Sequence, residues 1–186
     1  MKISQALSRF ILKIAGWKVI VSNPILDKSV ICVAPHTSNW DFILGKLCYT
    51  SVGLTAHFMI KKEWFKCPFN LIFKPLGGIP VVRSRNNNLI DQVVERFKTM
   101  KKFNIAITPE GTRKRNDKWK KGFYYIALKA NVPIQLAYID YKDKVLSIEK
   151  MFYPTGDEKA DFKIINDYYK NVTARHPELF ALNKID

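Results

Sequence analysis

A chain of 186 residues can bury one substantial core but is too short for two ordinary domains. Its 47% apolar and 13% aromatic content excludes a disordered chain, and 31 Lys and Arg against 16 Asp and Glu leave a charge of +15 that calls for a polyanionic partner. Three widely spaced cysteines (Cys32, Cys48, Cys67) without a CxxC pair exclude a disulfide framework or structural zinc, so a reducing compartment and no metal are expected.

Residues 3 to 15 place Ile3, Leu7, Phe10, Ile11 and Ile14 at helical spacing, with Lys2, Gln5, Arg9 and Lys13 opposite. No acidic residue precedes Asp27, so only cations surround this stripe. Such a helix suits the headgroup layer of an anionic membrane or the protein's own core, and the pattern does not choose. Arg9 and Lys13 interrupt the apolar run, which reads against a signal peptide, and no apolar stretch is long enough for a spanning helix.

Short β-rich runs follow at 17–22, 30–34, 54–60, 79–82, 105–108 and 134–140, separated by helical patterns at 40–49, 89–100, 122–130 and 157–172. This alternation predicts a single α/β domain with a mixed, mostly parallel sheet flanked by helices. Lys142 to Lys144 predict a turn into a later antiparallel strand near 145–148.

Three loops follow predicted strands, and ligands gather at the carboxyl edge of open parallel sheets. The first is Pro35-His36-Thr37-Ser38-Asn39-Trp40-Asp41, where Ser38 and Asp41 have capping-box spacing. A loop histidine before a helix can fold back onto Asp41, whose carboxylate would fix its tautomer and steady the positive charge of a general base. The bland alternative is a cap beside an ordinary loop histidine. The second is Gly77-Gly78-Ile79-Pro80-Val81-Val82-Arg83, whose arginine suits bidentate phosphate recognition. The third is Pro109-Glu110-Gly111-Thr112-Arg113, where glycine admits close backbone approach and Arg113 adds a cation.

Together these segments resemble the lysophosphatidic acid and glycerol-phosphate acyltransferase family. Its HxxxxD motif matches His36 to Asp41, its GxxxxR motif Gly78 to Arg83, its PEGTR motif Pro109 to Arg113, and its late proline-centred strand Val132-Pro133-Ile134, in the family's order. The resemblance implies a glycerol-3-phosphate acyltransferase-like fold; with the basic amphipathic stripe read as a membrane-associating helix over residues 1–16, the acyltransferase domain is 17–186. It implies transfer of an acyl group from acyl-CoA or acyl-carrier protein to a lysophospholipid hydroxyl, 1-acylglycerol-3-phosphate first among acceptors, without a cofactor. His36 would be the base, Asp41 its orienter, and Gly78, Arg83, Glu110, Gly111, Thr112 and Arg113 would bind the acceptor. A peripheral place on the cytoplasmic face of an anionic membrane follows. Val82 stands where many members carry an acidic residue, which leaves the acceptor open, including other lysolipids and amino-acid-containing lipids.

Two rivals come from other classes. A nucleic-acid-binding module would use the basic charge, but no nucleic-acid motif is present. A hydrolase would use the same dyad on water, but no GxSxG elbow is present. Cys32, His57, Trp119, Phe123, Tyr124 and Tyr125 are expected in the core, with an acyl channel the alternative role for the four aromatics; His176 is expected at the surface.

Overall fold

The computed structural model describes residues 3–22, 26–82 and 88–185. Its elements are α1 (Ile3–Ile14), β1 (Lys18–Val21), β2 (Lys28–Val33), α2 (Trp40–Ser51), β3 (Ala56–Lys61), α3 (Phe69–Phe73), β4 (Gly78–Val81), α4 (Leu89–Thr99), β5 (Phe103–Ile107), α5 (Gly122–Ala130), β6 (Ile134–Asp140), β7 (Val145–Phe152) and α6 (Glu158–Tyr169). The seven strands form one sheet in the order β1-β7-β6-β2-β5-β3-β4. Strands β6, β2, β5, β3 and β4 are mutually parallel, β7 is antiparallel to β6, and β1 runs parallel to β7. The mixed, mostly parallel sheet read from the alternation is therefore present, and the expected antiparallel strand continues past Ile148 to Phe152.

Strand period two sorts side chains between two cores. Val30 and Cys32 of β2 join Ile105, Val93, Phe97, Phe123, Ile126, Phe162 and Ile165 beneath α4, α5 and α6. Ile31, between them in sequence, joins Leu12, Leu44, Cys48 and Tyr49 beneath α1 and α2. Cys32 is fully buried, and burial pushes its thiol far up, as befits a small core hydrophobe. Trp119, Phe123 and Tyr124 are buried as expected, but Tyr125 is not: it is exposed, and its hydroxyl donates to Glu158 Oε2 at 2.7 Å.

The α1 stripe has the outcome that its pattern left open. The helix sits on α2 through buried Ser8 and Leu12, with Arg9 Nε donating to the Ser51 carbonyl at 2.8 Å. Ile3, Leu7, Phe10, Ile11 and Ile14 face outward, Ile3 with 88% of its surface accessible. Among the described residues, no helix is long and apolar enough to cross a membrane.

Two features position the site. The five mutually parallel strands end at one edge of the sheet, from which the first and third loops emerge. The β3–β5 ladder also covers only Ala56↔Asn104 and His57↔Ile105, after which β3 pairs with β4 from Phe58↔Gly78 onward. Beyond the ladder, Phe58 and Met59 of β3 and Ala106 and Ile107 of β5 line one cavity of about 770 Å³ that receives side chains from both faces of the sheet.

Candidate active site

The first loop leaves β2 at Ala34 and reaches α2 at Trp40. Asn39 already has helical dihedrals (φ −66°, ψ −26°) and makes no side-chain cap, so capping falls to Ser38. Ser38 Oγ accepts from the Trp40 amide at 3.2 Å, and Asp41 Oδ2 reaches back to accept from the Ser38 amide at 2.8 Å. The same Oδ2 takes the Thr37 amide at 2.8 Å and lies 3.2 Å from His36 Nδ1. The cap and the histidine contact therefore coexist.

Burial is the largest influence on Asp41 and works to raise its pKa, but hydrogen bonds from His36, Tyr141 and Ser38 outweigh it and hold the carboxyl below its ordinary value. An ionised carboxylate only accepts hydrogen bonds, so His36 Nδ1 faces it as an N–H donor, the tautomer in which Nε2 is the ring's acceptor nitrogen. The His36 side chain is 21% exposed and lines the cavity, whereas that of Asp41 is 3% exposed. Both residues line the cavity, and the arrangement can present the free ring nitrogen of His36 as a proton acceptor backed by the buried Asp41 carboxylate.

The third loop comes alongside from β5. Glu110 Oε1 accepts from the His36 backbone amide at 3.2 Å, while Oε2 is buried without a hydrogen-bond partner among the described residues. Burial pushes the Glu110 carboxyl up to about 7, against the smaller lowering effect of His36. Gly111 has φ +65°, and a Cβ there would stand 2.7 Å from the Lys120 side chain; both residues line the cavity. Thr112 and Arg113 are exposed beyond them. The loop is tied down by Lys120 N–H to the Pro109 carbonyl at 2.7 Å and Asn116 Nδ2 to the Glu110 carbonyl at 2.8 Å.

No described residue of the second motif lines the cavity. Gly78 is buried and is absent from the cavity lining; a Cβ on it would meet Ile60 at 2.8 Å and the Phe73 carbonyl at 2.9 Å, so its lack of a side chain lets α3 close on β3 and β4. Gln92 brackets the end of β4, its Oε1 accepting from Val82 N–H and its Nε2 donating to Val82 O, each at 3.0 Å. Arg83 lies outside the described residues.

Sequence reasoning missed Tyr141. Its hydroxyl donates to Asp41 Oδ1 at 2.6 Å, occupying the oxygen that His36 leaves free. Trp17 packs edge-on against the Tyr141 ring at 5.3 Å, and the Arg175 guanidinium lies 5.5 Å from the Trp40 ring centre and 6.0 Å from that of Tyr141. The available signal was Tyr141's place just past β6, at the same carboxyl edge as the motif loops. His57 is half-buried on the cavity wall, with Nδ1 on the Asn104 carbonyl at 3.1 Å. His176 is exposed as expected, and its backbone amide donates to Thr37 Oγ1 at 3.2 Å.

Residues 17–139 match the family model described as Acyltransferase. No curated protein matches the chain. Among solved structures, the fold is similar to the crystal structure of the 1-acyl-sn-glycerophosphate (LPA) acyltransferase, PlsC, from Thermotoga maritima. The two superpose with a TM-score of 0.61 at 21% identity, over 92% of this chain and 79% of that one.

Proposed function

From the premise that this chain belongs to the acyltransferase family, we propose that it transfers a fatty acyl group from acyl-CoA or acyl-carrier protein to a lysophospholipid hydroxyl, with 1-acylglycerol-3-phosphate the acceptor. The observation that carries this reading is the His36 Nδ1 contact with Asp41 Oδ2 at 3.2 Å, in the lining of a cavity also walled by Phe42, Phe58, Met59, Ile90 and Ile126. The contact leaves Nε2 as the basic nitrogen of a cavity-lining ring, and the apolar walls suit an acyl chain.

The acceptor hydroxyl gives its proton to His36 Nε2 as its oxygen forms the new bond to the thioester carbonyl carbon. Asp41 steadies the resulting imidazolium without taking the proton. Collapse of the tetrahedral intermediate breaks the carbon–sulfur bond, and the imidazolium returns the proton to the departing thiolate. Acyl transfer is direct, without a covalent acyl-enzyme. General-base assistance of this kind contributes about 10²–10⁴-fold, and positioning adds to it. Arg83, Thr112 and Arg113 with the Glu110–Gly111 backbone hold the phosphate and glycerol end, and Lys120 adds a cation beside Gly111.

The protein works peripherally on the cytoplasmic face of an anionic membrane. Support comes from the outward apolar stripe of α1, from Arg9 and Lys13 beside it, and from the charge of +15.

Product mass spectrometry tests the reading: the purified protein is given mixed acyl thioesters with and without a panel of lysolipids. Acceptor-dependent ester formation is the expected result. Thiol release that ignores the acceptor would identify a hydrolase, and activity confined to another lysolipid would correct the acceptor alone.

A further inference from the structure

The segment between β3 and β4 carries an apolar surface that neither motif nor core explains. A short 3-10 turn (Lys62–Trp64) leads to α3, and from Trp64 to Leu76 the side chains of Trp64, Phe69, Leu71, Ile72 and Leu76 are all exposed, Leu71 by 71% and Ile72 by 56%. Five large apolar side chains displayed by a stretch this short form more than the scattered hydrophobes of an ordinary surface. None of them joins either core.

Their neighbours identify what they meet. Lys61, Lys62, Lys66 and Lys74 are exposed around them, against a single acid, Glu63. The turn after α3 is tied to α2 by Lys46 Nζ, which donates to the Leu76 carbonyl at 2.7 Å. On α2, Phe42 and Ile43 are exposed as well, and Phe42 packs edge-on against Phe58 at 4.9 Å. Phe42, Lys46 and Phe58 all line the cavity beside His36. The apolar surface is therefore joined to the wall of the site, and its cations match anionic headgroups.

We propose that α3 and the turn before it are a second membrane contact, with Trp64, Phe69, Leu71 and Ile72 inserted into the interface of an anionic bilayer and the lysines at headgroup level. A single amphipathic helix such as α1 fixes depth but leaves the molecule free to roll about the helix axis. A second contact beside the cavity removes that freedom and holds the cavity against the leaflet from which a lipid acceptor enters. The purpose of this contact rests on the reading that the acceptor is a membrane lipid; the contact itself does not.

The test uses Leu71→Asp/Ile72→Asp in the full chain, beside wild type and Leu7→Asp on α1, with melting temperature as a fold control. Flotation on vesicles of phosphatidylcholine with phosphatidylserine measures binding independently of activity. Transfer rates are compared for a lysolipid embedded in those vesicles and for a water-soluble short-chain analogue. The double variant is expected to lose at least about tenfold in vesicle binding and in transfer to the embedded lysolipid, because two charges then enter the interface. Its rate on the soluble analogue is expected to stay near wild type. Undiminished flotation would overturn the proposal. A loss seen only with acyl-carrier-protein donors, or a dimer in wild type that the variant dissolves, would also overturn it by assigning the surface to a protein partner. Failure of transfer to every acceptor would refute the proposed activity and leave the flotation result to decide the contact.

Discussion

Substituting Glu110 by glutamine keeps the shape of a buried side chain and removes its charge. Glu110 Oε1 accepts the His36 amide at 3.2 Å, a bond that a glutamine carbonyl can also accept, while Oε2 is buried without a partner among the described residues. Burial moves the carboxyl from its ordinary value of 4.5 to about 7. The folded state thus binds this proton more tightly than the unfolded chain does. Ionisation costs nothing below the unfolded value, costs progressively more as pH rises from 4.5, and reaches its full cost above about 7. At about 1.4 kcal/mol per pH unit that gap makes roughly 3 kcal/mol at pH about 8. Urea unfolding of wild type and Glu110→Gln at pH about 8 and at pH about 4.5 reads the difference directly. The variant is expected to gain up to roughly 3 kcal/mol over wild type at the higher pH relative to the lower one. A pH-independent difference between the two proteins would refute the reasoning, because it would mean that Glu110 titrates alike in both states.

Asp41→Asn should lower kcat by about 10²–10⁴-fold, since the amide no longer steadies the imidazolium. The Asp41 carboxyl is held below its ordinary value of 3.8, so its contribution to stability is present above that value and lost as pH falls through the folded one. The stability gap between wild type and Asp41→Asn should accordingly narrow in acid denaturation curves. Tyr141→Phe removes a 2.6 Å hydrogen bond to that carboxylate; a loss of about 1.5–3 kcal/mol in urea unfolding and a fall in kcat with acceptor KM little changed are expected. An unchanged kcat would make Tyr141 a packing residue only. Gly111→Ala places a Cβ at φ +65° and 2.7 Å from Lys120, and should cost about 1–2 kcal/mol in melting experiments.

The layered architecture was legible because strand alternation and helix period survive in the sequence: Val30 and Cys32 face one core and Ile31 the other, as period two requires. His36 and Asp41 were legible because capping chemistry is local, with partners three to five residues apart. Tyr141 was not, because it meets Asp41 from a hundred residues away and only the sheet order brings the ends of β2 and β6 together. The α3 segment was missed because Pro68 precedes it and its apolar residues fit neither core, so no amphipathic period marks it. Gly78 was placed with the acceptor-binding residues on the resemblance alone, whereas in the structure it is α3 that approaches it. Sequence could not separate these because both demand the same missing side chain. The cavity depends on where a strand ladder stops, which no local pattern encodes.

The proposed acyl transfer requires His36 as its proton acceptor. The direct measurement is the turnover of His36→Gln against wild type with one acyl thioester and the accepted lysolipid, the fold of the variant verified by its melting curve. A loss of at least about 100-fold in ester formation, with the fold intact, is predicted. A folded variant that forms ester at the wild-type rate would contradict the account.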